Sequence, residues 1–350
     1  MKERVTIVDV ARRAGVSVST VSNYLNGRMN LIKDKTRNRI KQAIEELNYR
    51  PNPVARQLKT GSAPFIGLVV PSVANPFYGT FAHHVEVEAA KRGFHVLLGN
   101  CCRDPERERE FAEELVAYGV RGIVFGSSLA DISYLSDLAK EGLCLVTFDR
   151  SLTNSEHVQF DGVGVDNRQG VYIATRHLLG LGHRRIAFVS GSIRTVNRLD
   201  RLTGYEQALR DAGVEEDPSL IWQGETVEGF GDFNAIQLGK QAAYQLLTRS
   251  ERPTGIVTVN DMFALGVYAG AKELGVSIPQ DLSVVGFDDI ELAEIVEPPL
   301  TTVRQPIPLL ASKAVELLLN RLEGKEVREG QYYMFPPELI VRRSTAEPKY

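Results

Sequence analysis

Residues 6–26 read TIVDVARRAGVSVSTVSNYLN. Thr6, followed three residues later by Asp9, has the spacing of a capping box, in which side chains satisfy backbone donors left open at a helix start. Ile7, Val10, Ala11 and Ala14 then recur at helical spacing, and Gly15 supplies the stop. Ser17 caps a second helix in which Val21 and Leu25 fall on one face. A third helix fits residues 34–48, with Ile40, Ala43, Ile44 and Leu47 as its buried stripe. Helix, tight glycine turn, second helix and a buttressing third is the helix-turn-helix plan.

The outward face of the second helix carries Val18, Ser19, Ser22 and Asn23. Asn can bond adenine twice, Ser can bond bases or phosphates, and Val can touch a thymine methyl. Charge supports a polyanionic partner for this segment. Residues 1–60 hold 13 Lys and Arg against 5 Asp and Glu, a surplus of +8, while the remainder of the 350-residue chain carries −11.

Beyond the third helix, residues 49–64 read YRPNPVARQLKTGSAP. Asn52 is a good N-cap, Pro53 suits the first helical position and Gly61 is a natural stop. The helix between them falls well short of the roughly 12–15 residues that an isolated helix needs in water.

From residue 65 the period changes. The apolar runs FIGLVV, HVLLGN, GIVFGS and LCLVTFD alternate with helical stretches, and the pattern restarts with RIAFVSG, LIWQG, GIVTVN and LSVVGFDD. Two such series predict an α/β core of two doubly wound parallel-sheet lobes, with YYMFPPELIVRRS returning to it as extended chain. Ligands of open α/β sheets bind outside the carboxyl ends of the strands. Those ends read Asn75-Pro76-Phe77, Asp149-Arg150, Asn260-Asp261 and Asp288-Asp289, suited to a small polar molecule held between two lobes.

Other classes find little support. Cys101, Cys102 and Cys144 form no disulfide framework or metal spacing. The N-terminal MKERVTIVDVARRAG lacks a signal-peptide apolar core, and no apolar run approaches the ~18 residues that span a bilayer, so a cytoplasmic protein with no membrane contact is expected. P-loop, dinucleotide and nucleophile-elbow motifs are absent, which argues against an enzyme and against a cofactor. In HHVEVE, His83 and His84 diverge by about 100° on a helix and do not converge on a metal. His177 and His183 fit turn and packing roles. A transport-type solute-binding protein would share the two-lobed body but not the basic head.

TIVDVARRAGVSVSTVSNYLN, TRNRI and ELNYRPNPVARQL together resemble the DNA-binding head of the LacI-type repressor family. One departure is NLIKDKTR, where Lys33 stands in place of the family's usual capping Ser, leaving Asp34 as candidate cap. SVANPFYG, GNCCRDPEREREF, VTFDR, VGVDNRQG, LLGLGHRRIAFVSG, RLTGY, NDMFALG, DLSVVGFDD and PPLTTVRQP extend the likeness to the family's effector-binding core.

The resemblance implies a helix-turn-helix head over 1–50, a hinge over 51–63 and a two-lobed, periplasmic-binding-protein-like core over 64–350. It implies a homodimer, with a tetramer as the alternative, on palindromic double-stranded operator DNA. The candidate DNA contacts are Thr6, Ser17, Val18, Ser19, Thr20, Ser22 and Asn23, joined in the hinge by Asn52, Ala55, Arg56, Leu58 and Lys59. Leu58 stands where the family places a minor-groove wedge. Effector contacts fall on Phe77, Arg150, Asn197, Arg201, Asn260 and Asp288, with Arg194 and Arg198 as substitutes for Asn197. Trp222, Phe230 and Phe233 are the candidate lid aromatics. The implied effector is a sugar or sugar derivative, with a purine or other metabolite as the alternative.

Overall fold

The computed structural model describes residues 5–25, 27–49, 64–127, 131–150, 160–224, 234–325 and 329–349; the hinge candidates between Asn52 and Lys59 lie outside them. Contacts divide the chain into two units, Met1–Ala63 and Pro64–Tyr350.

In the first unit, α1 (Ile7–Ala14) starts where Asp9 Oδ2 accepts from the Thr6 hydroxyl at 2.7 Å and from the Thr6 backbone N–H at 2.9 Å. These bonds hold the Asp9 carboxyl below its usual range. Gly15 ends α1 at a φ of +62°, a left-handed conformation that glycine adopts without Cβ strain. Ser17 Oγ accepts from the Thr20 N–H at 3.2 Å and opens α2 (Val18–Leu25).

The third helix, α3 (Asp34–Glu46), has Lys33 at its cap, a side chain with no acceptor to offer. Asp34 therefore does not cap. It occupies the first helical position, pairs with Arg37 at 2.8 Å and faces the positive end of the helix dipole. The helix stops short of residue 48 because Asn48 turns to a φ of +46°. Val10, Val21 and Ile40 are fully buried where the three helices meet, with Ile44 and Leu47 packed at the margin.

The second unit holds two six-stranded sheets. The first uses β1 (Phe65–Val70), β2 (His95–Asn100), β3 (Gly122–Phe125), β4 (Cys144–Phe148), β5 (Asp161–Val165) and β11 (Tyr332–Phe335), in the order β11-β5-β4-β3-β1-β2, all parallel. The second uses β6 (Ile186–Gly191), β7 (Ile221–Gly224), β8 (Gly255–Thr258), β9 (Ser283–Asp288), β10 (Thr301–Arg304) and β12 (Glu338–Ile340), in the order β12-β10-β9-β8-β6-β7. Only β12 runs antiparallel to its neighbour.

Helices α4 (Pro76–Lys91), α5 (Pro105–Ala117) and α6 (Ser133–Lys140) connect strands of the first sheet. Helices α7 (Asn167–Gly180), α8 (Val196–Asp211), α9 (Ala235–Leu247), α10 (Asp261–Glu273) and the short α11 (Leu292–Ile295) serve the second. α9 and α10 pack at close range because neither Gly239 nor Gly266 carries a Cβ; one built at Gly266 would lie 2.1 Å from the Ile236 carbonyl oxygen.

The lobes are not two consecutive halves, as the restarting pattern suggests. Helix α12 (Ile307–Leu322) follows the second sheet in sequence but returns to the first lobe, where Leu310, Ala311, Ala314 and Leu318 join its core. β11 stays in that lobe and β12 crosses back to the other. The chain thus passes between lobes near Asp166, Gln305 and Pro336. Each strand order reverses beside its first strand, between β1 and β3 and between β6 and β8. Such reversals open a crevice at the carboxyl ends of the strands.

Candidate functional site

A small, largely filled cavity occupies that crevice. The first lobe contributes Asn75 and Phe77 after β1, Tyr78 beside them, Arg103 after β2 and Asp149 after β4. The second contributes Thr195, Asn197, Arg198 and Arg201 around the start of α8, then Val259, Asn260 and Asp288 at strand ends. Gln305 completes the lining from the segment that crosses between lobes.

Asp288 is the hub. It lies at the end of β9 with a φ of +116°, a strained value for a residue with a Cβ. Its Oδ1 accepts from Gln305 Nε2 at 2.8 Å, its Oδ2 accepts from Asn75 Nδ2 at 3.1 Å, and Arg201 Nη2 stands 4.0 Å away. Burial raises its pKa to about 6, opposed by the Arg201 charge and by the Asn75 and Gln305 hydrogen bonds. Beneath it the fully buried Asp261 accepts from Thr302 Oγ1 and from the Ile290 N–H at 2.9 Å. Burial, reinforced by the Asp288 charge, pushes its carboxyl well above the usual range.

Arg201 is pinned from several sides. Its Nε donates to Asn167 Oδ1 at 2.7 Å, its Nη1 donates to the Val259 carbonyl, and its guanidinium lies 3.6 Å from the Phe287 ring centroid. Asn260 caps α10 by accepting from the Phe263 N–H at 3.1 Å, so its capping role and its place in the cavity coexist. Within the first lobe Tyr78 Oη donates to Asp149 Oδ2 at 2.7 Å, and across the crevice Asn197 Nδ2 donates to the Asp149 carbonyl oxygen.

Five of the six effector candidates therefore meet in one cavity: Phe77, Asn197, Arg201, Asn260 and Asp288. Arg150 is buried but does not line it. Asp149, left-handed at a φ of +55°, presents its own side chain there instead, while the Arg150 carbonyl accepts from Tyr332 Oη at 2.6 Å. Arg198 joins Asn197 rather than replacing it; Arg194 does not line the cavity.

Tyr78, Arg103, Thr195 and Gln305 were missed by sequence reasoning. Only Tyr78 had a signal, as the neighbour of the Asn75-Pro76-Phe77 strand end. Trp222 is no lid residue: it is packed in the second lobe's core and donates to Gln245 Oε1 at 2.7 Å. Phe230 and Phe233 lie outside the described residues.

Behind the cavity, Glu108 Oε2 accepts from Ser127 Oγ at 2.7 Å and from Tyr134 Oη at 3.3 Å. Burial raises its pKa to about 7, although Arg103 and Arg150 draw it down. The two histidines of RHLLGLGHRRI anchor the chain's last residues, His177 through Thr345 Oγ1 at 3.0 Å and His183 through the Ala346 carbonyl at 2.9 Å. Among the described residues, no group of three His, Cys, Asp or Glu is arranged to hold a metal ion, and no helix is long and apolar enough to cross a membrane.

In the head, Val18 and Ser19 are exposed at the start of α2, with Thr20, Ser22 and Asn23 half-exposed behind them. Ser17 Oγ lies 2.7 Å from Ser19 Oγ and 2.8 Å from Thr20 Oγ1, so hydroxyls cluster where the helix N-terminus favours phosphate. Thr6 is exposed but engaged with Asp9.

Comparison with known proteins agrees with both units. Residues 6–52 match the family described as bacterial regulatory proteins, lacI family, and residues 175–345 match a periplasmic binding protein-like domain. The HTH-type transcriptional regulator DegA of Bacillus subtilis (strain 168) is 36% identical over 348 residues, covering 98% of each chain. The lac repressor dimer bound to operator and the anti-inducer ONPF superposes with a TM-score of 0.84 at 29% identity, over 98% of this chain and 100% of that one. The complex of the transcriptional regulator CelR with cellobiose gives a TM-score of 0.71 at 31% identity, over 97% and 100%. A basic helix-turn-helix head and a two-lobed core with a polar crevice are thus shared along the whole chain, which belongs to the lacI family of DNA-binding transcriptional regulators and is not an enzyme.

Proposed function

We propose that this regulator is a repressor that binds a palindromic operator in the cytoplasm as a homodimer. A small polar effector, a sugar or sugar derivative, then controls its operator affinity from the cavity between the lobes. The observation that carries the reading is the convergence of carboxylates, amides and guanidiniums from both lobes around Phe77. An apolar ring gives shape and a few polar groups give orientation, as small-ligand sites require. Relatives solved with cellobiose and with an anti-inducer support it.

One helix-turn-helix reads a half-site, and a two-fold pair doubles it. Closure of the lobes on the effector alters the placement of the paired heads. By linkage, an effector that weakens operator binding must itself bind the operator complex more weakly by the same factor. The domain limits follow as 1–50 for the head, 51–63 for the hinge and 64–350 for the core.

A thermal-shift screen of metabolites, with hits retested on operator binding, tests this. A sugar hit that releases operator supports the reading; a purine hit that tightens operator binding replaces it with corepression. Asp288→Ala and Arg201→Ala should each abolish the response while operator binding persists. If both still respond at ordinary ligand concentrations, the cavity is not the effector site.

A further inference from the structure

Asp288 keeps its place against unfavourable backbone angles. It and Asp289 take φ values of +116° and +55°, so β9 ends in consecutive positive-φ residues that both bear side chains. Glycine adopts such angles without strain; other residues persist in them only where the surroundings over-determine the conformation. Asp261, Thr302 and Asp289, all outside the cavity lining, supply that determination.

Asp261 opens α10 and is fully buried against β9. Gly286 admits it, since a Cβ there would lie 2.0 Å from Asp261 Oδ1. Its Oδ2 accepts from the Ile290 N–H at 2.9 Å, and its Oδ1 accepts from Thr302 Oγ1 on the neighbouring β10. Thr302 Oγ1 in turn accepts from the Asp289 N–H at 3.4 Å. A buried carboxyl and a buried hydroxyl thus fix the two successive N–H groups that follow Asp288.

The Asp289 side chain, 7% exposed, holds the same turn by charge. Its Oδ2 accepts from Arg304 Nε at 2.6 Å, and its Oδ1 pairs with Arg342 Nη1 at 2.7 Å. Such charge-assisted contacts are strong and directional. Arg304 stands opposite Asp288 in the β9–β10 register, and the next residue, Gln305, donates to Asp288 Oδ1. Consecutive acids therefore grip consecutive residues of the chain that leads from β10 toward the other lobe.

We propose that Asp261, Thr302 and Asp289 are positioning residues for effector recognition. Together they hold the strained end of β9 so that the Asp288 carboxyl stays aimed into the cavity and bonded to Gln305 and Asn75. This rests on the cavity being the effector site.

The test uses the full chain and variants that spare the cavity lining. Thr302→Val removes the hydroxyl at nearly the same shape, and Thr302→Ser keeps it. Asp289→Asn retains a side chain that tolerates left-handed angles and removes the charge that pairs with both arginines. The first readout is nuclear magnetic resonance of the Gln305 and Asn75 side-chain amides, which report the two bonds to Asp288 without any ligand. Both should shift and exchange faster with solvent in Thr302→Val and Asp289→Asn, and stay as in the parent in Thr302→Ser. The second readout is calorimetric titration with glucose, galactose, xylose and adenine. A probe that binds the parent should bind the Val and Asn variants at least about tenfold more weakly, and Thr302→Ser nearly as well as the parent.

Amides unmoved in both variants overturn the brace, even where melting temperatures fall, since that is what a purely structural role predicts. Amides that move while a probe's affinity holds overturn the brace's service to the effector. Asp288→Ala then separates the two readings: loss of the probe keeps the cavity as the effector site, and its retention removes that reading as well. With no probe bound, the amides alone decide, because they report the aim of Asp288 directly.

Discussion

Asn75 and Asp288, 213 positions apart in the chain, meet across the crevice through a buried hydrogen bond of 3.1 Å from Nδ2 to Oδ2. Asn75 also accepts from the Phe77 N–H through Oδ1 at 3.0 Å, capping α4. One amide therefore fixes the start of a first-lobe helix and ties it to the strained end of a second-lobe strand.

That double role makes Asn75→Asp an informative substitution. The carboxylate still caps α4, but it sets a like charge against Asp288 in a buried site. Effector affinity should fall at least about tenfold, since the repulsion of two like charges disfavours the closed lobes. Asp288→Asn in the same chain should recover part of the closure, read as a more compact scattering profile. Equal profiles for parent, single and double variants would sink the latch.

Glu108 gives a prediction in pH. Its pKa is raised from 4.5 to about 7 by burial. A folded-state pKa above the unfolded one means that the folded chain holds the proton more tightly. The stabilisation is complete below pH 4.5 and is lost as pH rises through 7. Glu108→Gln keeps a neutral group there at every pH. Melting temperatures of parent and variant, compared from pH 4.5 to 8, should diverge in the variant's favour toward the alkaline end, by an amount equivalent to about 1–3 kcal/mol. Parallel curves would mean the carboxyl ionises in the folded chain as it does in water.

Local chemistry was the legible part of the sequence. Thr6, Asp9 and Gly15 announce α1 because caps and left-handed stops act within a few residues. The long apolar runs became strands for the same reason. Weak or distant signals were lost. β5 is DGVGV and β10 is TTVR, short strands whose glycines and threonines carry no apolar run. Nothing local in IPLLASKAVELLLNRL says that α12 belongs to the first lobe; only the packing of its apolar face decides that. The site followed the same division. Asp288 and Asn260 stand at legible strand ends, whereas Arg103 reaches the cavity through a two-residue backbone turn, and Asp149, in a left-handed conformation, lines the cavity in place of Arg150.

The head separates stability from recognition. Thr6→Ala removes the hydroxyl partner of Asp9 and should cost about 0.5–2 kcal/mol of head stability without altering which operator is preferred. Ser19→Ala and Asn23→Ala leave that cap intact and remove groups from the outward face of α2. Each should shift sequence preference by about 1–3 kcal/mol if it contacts a base edge. A binding selection on randomised half-sites distinguishes the two. An unchanged preference for Ser19→Ala and Asn23→Ala would move base reading to other residues.

Leu58 carries the last prediction, on a segment outside the described residues. The caps around residues 52–61 favour a helix that is too short to persist alone, and Pro53 pre-sets its first φ, lowering the cost of ordering without making the helix stable. On the proposed homodimer reading, such a segment would fold when DNA and a partner copy supply the missing contacts, which would make its folding sensitive to how the two cores are placed. Inserting an apolar side chain between base steps costs a few kcal/mol of unstacking, roughly, and is repaid by the contacts that bent DNA allows. Leu58→Ala should therefore reduce operator affinity and bending together, measured by mobility of circularly permuted fragments. Arg56→Ala and Lys59→Ala should instead weaken binding on all sequences and flatten its salt dependence. If Leu58→Ala leaves affinity and bend angle unchanged, the hinge is a tether, and effector control must reach the heads by another route.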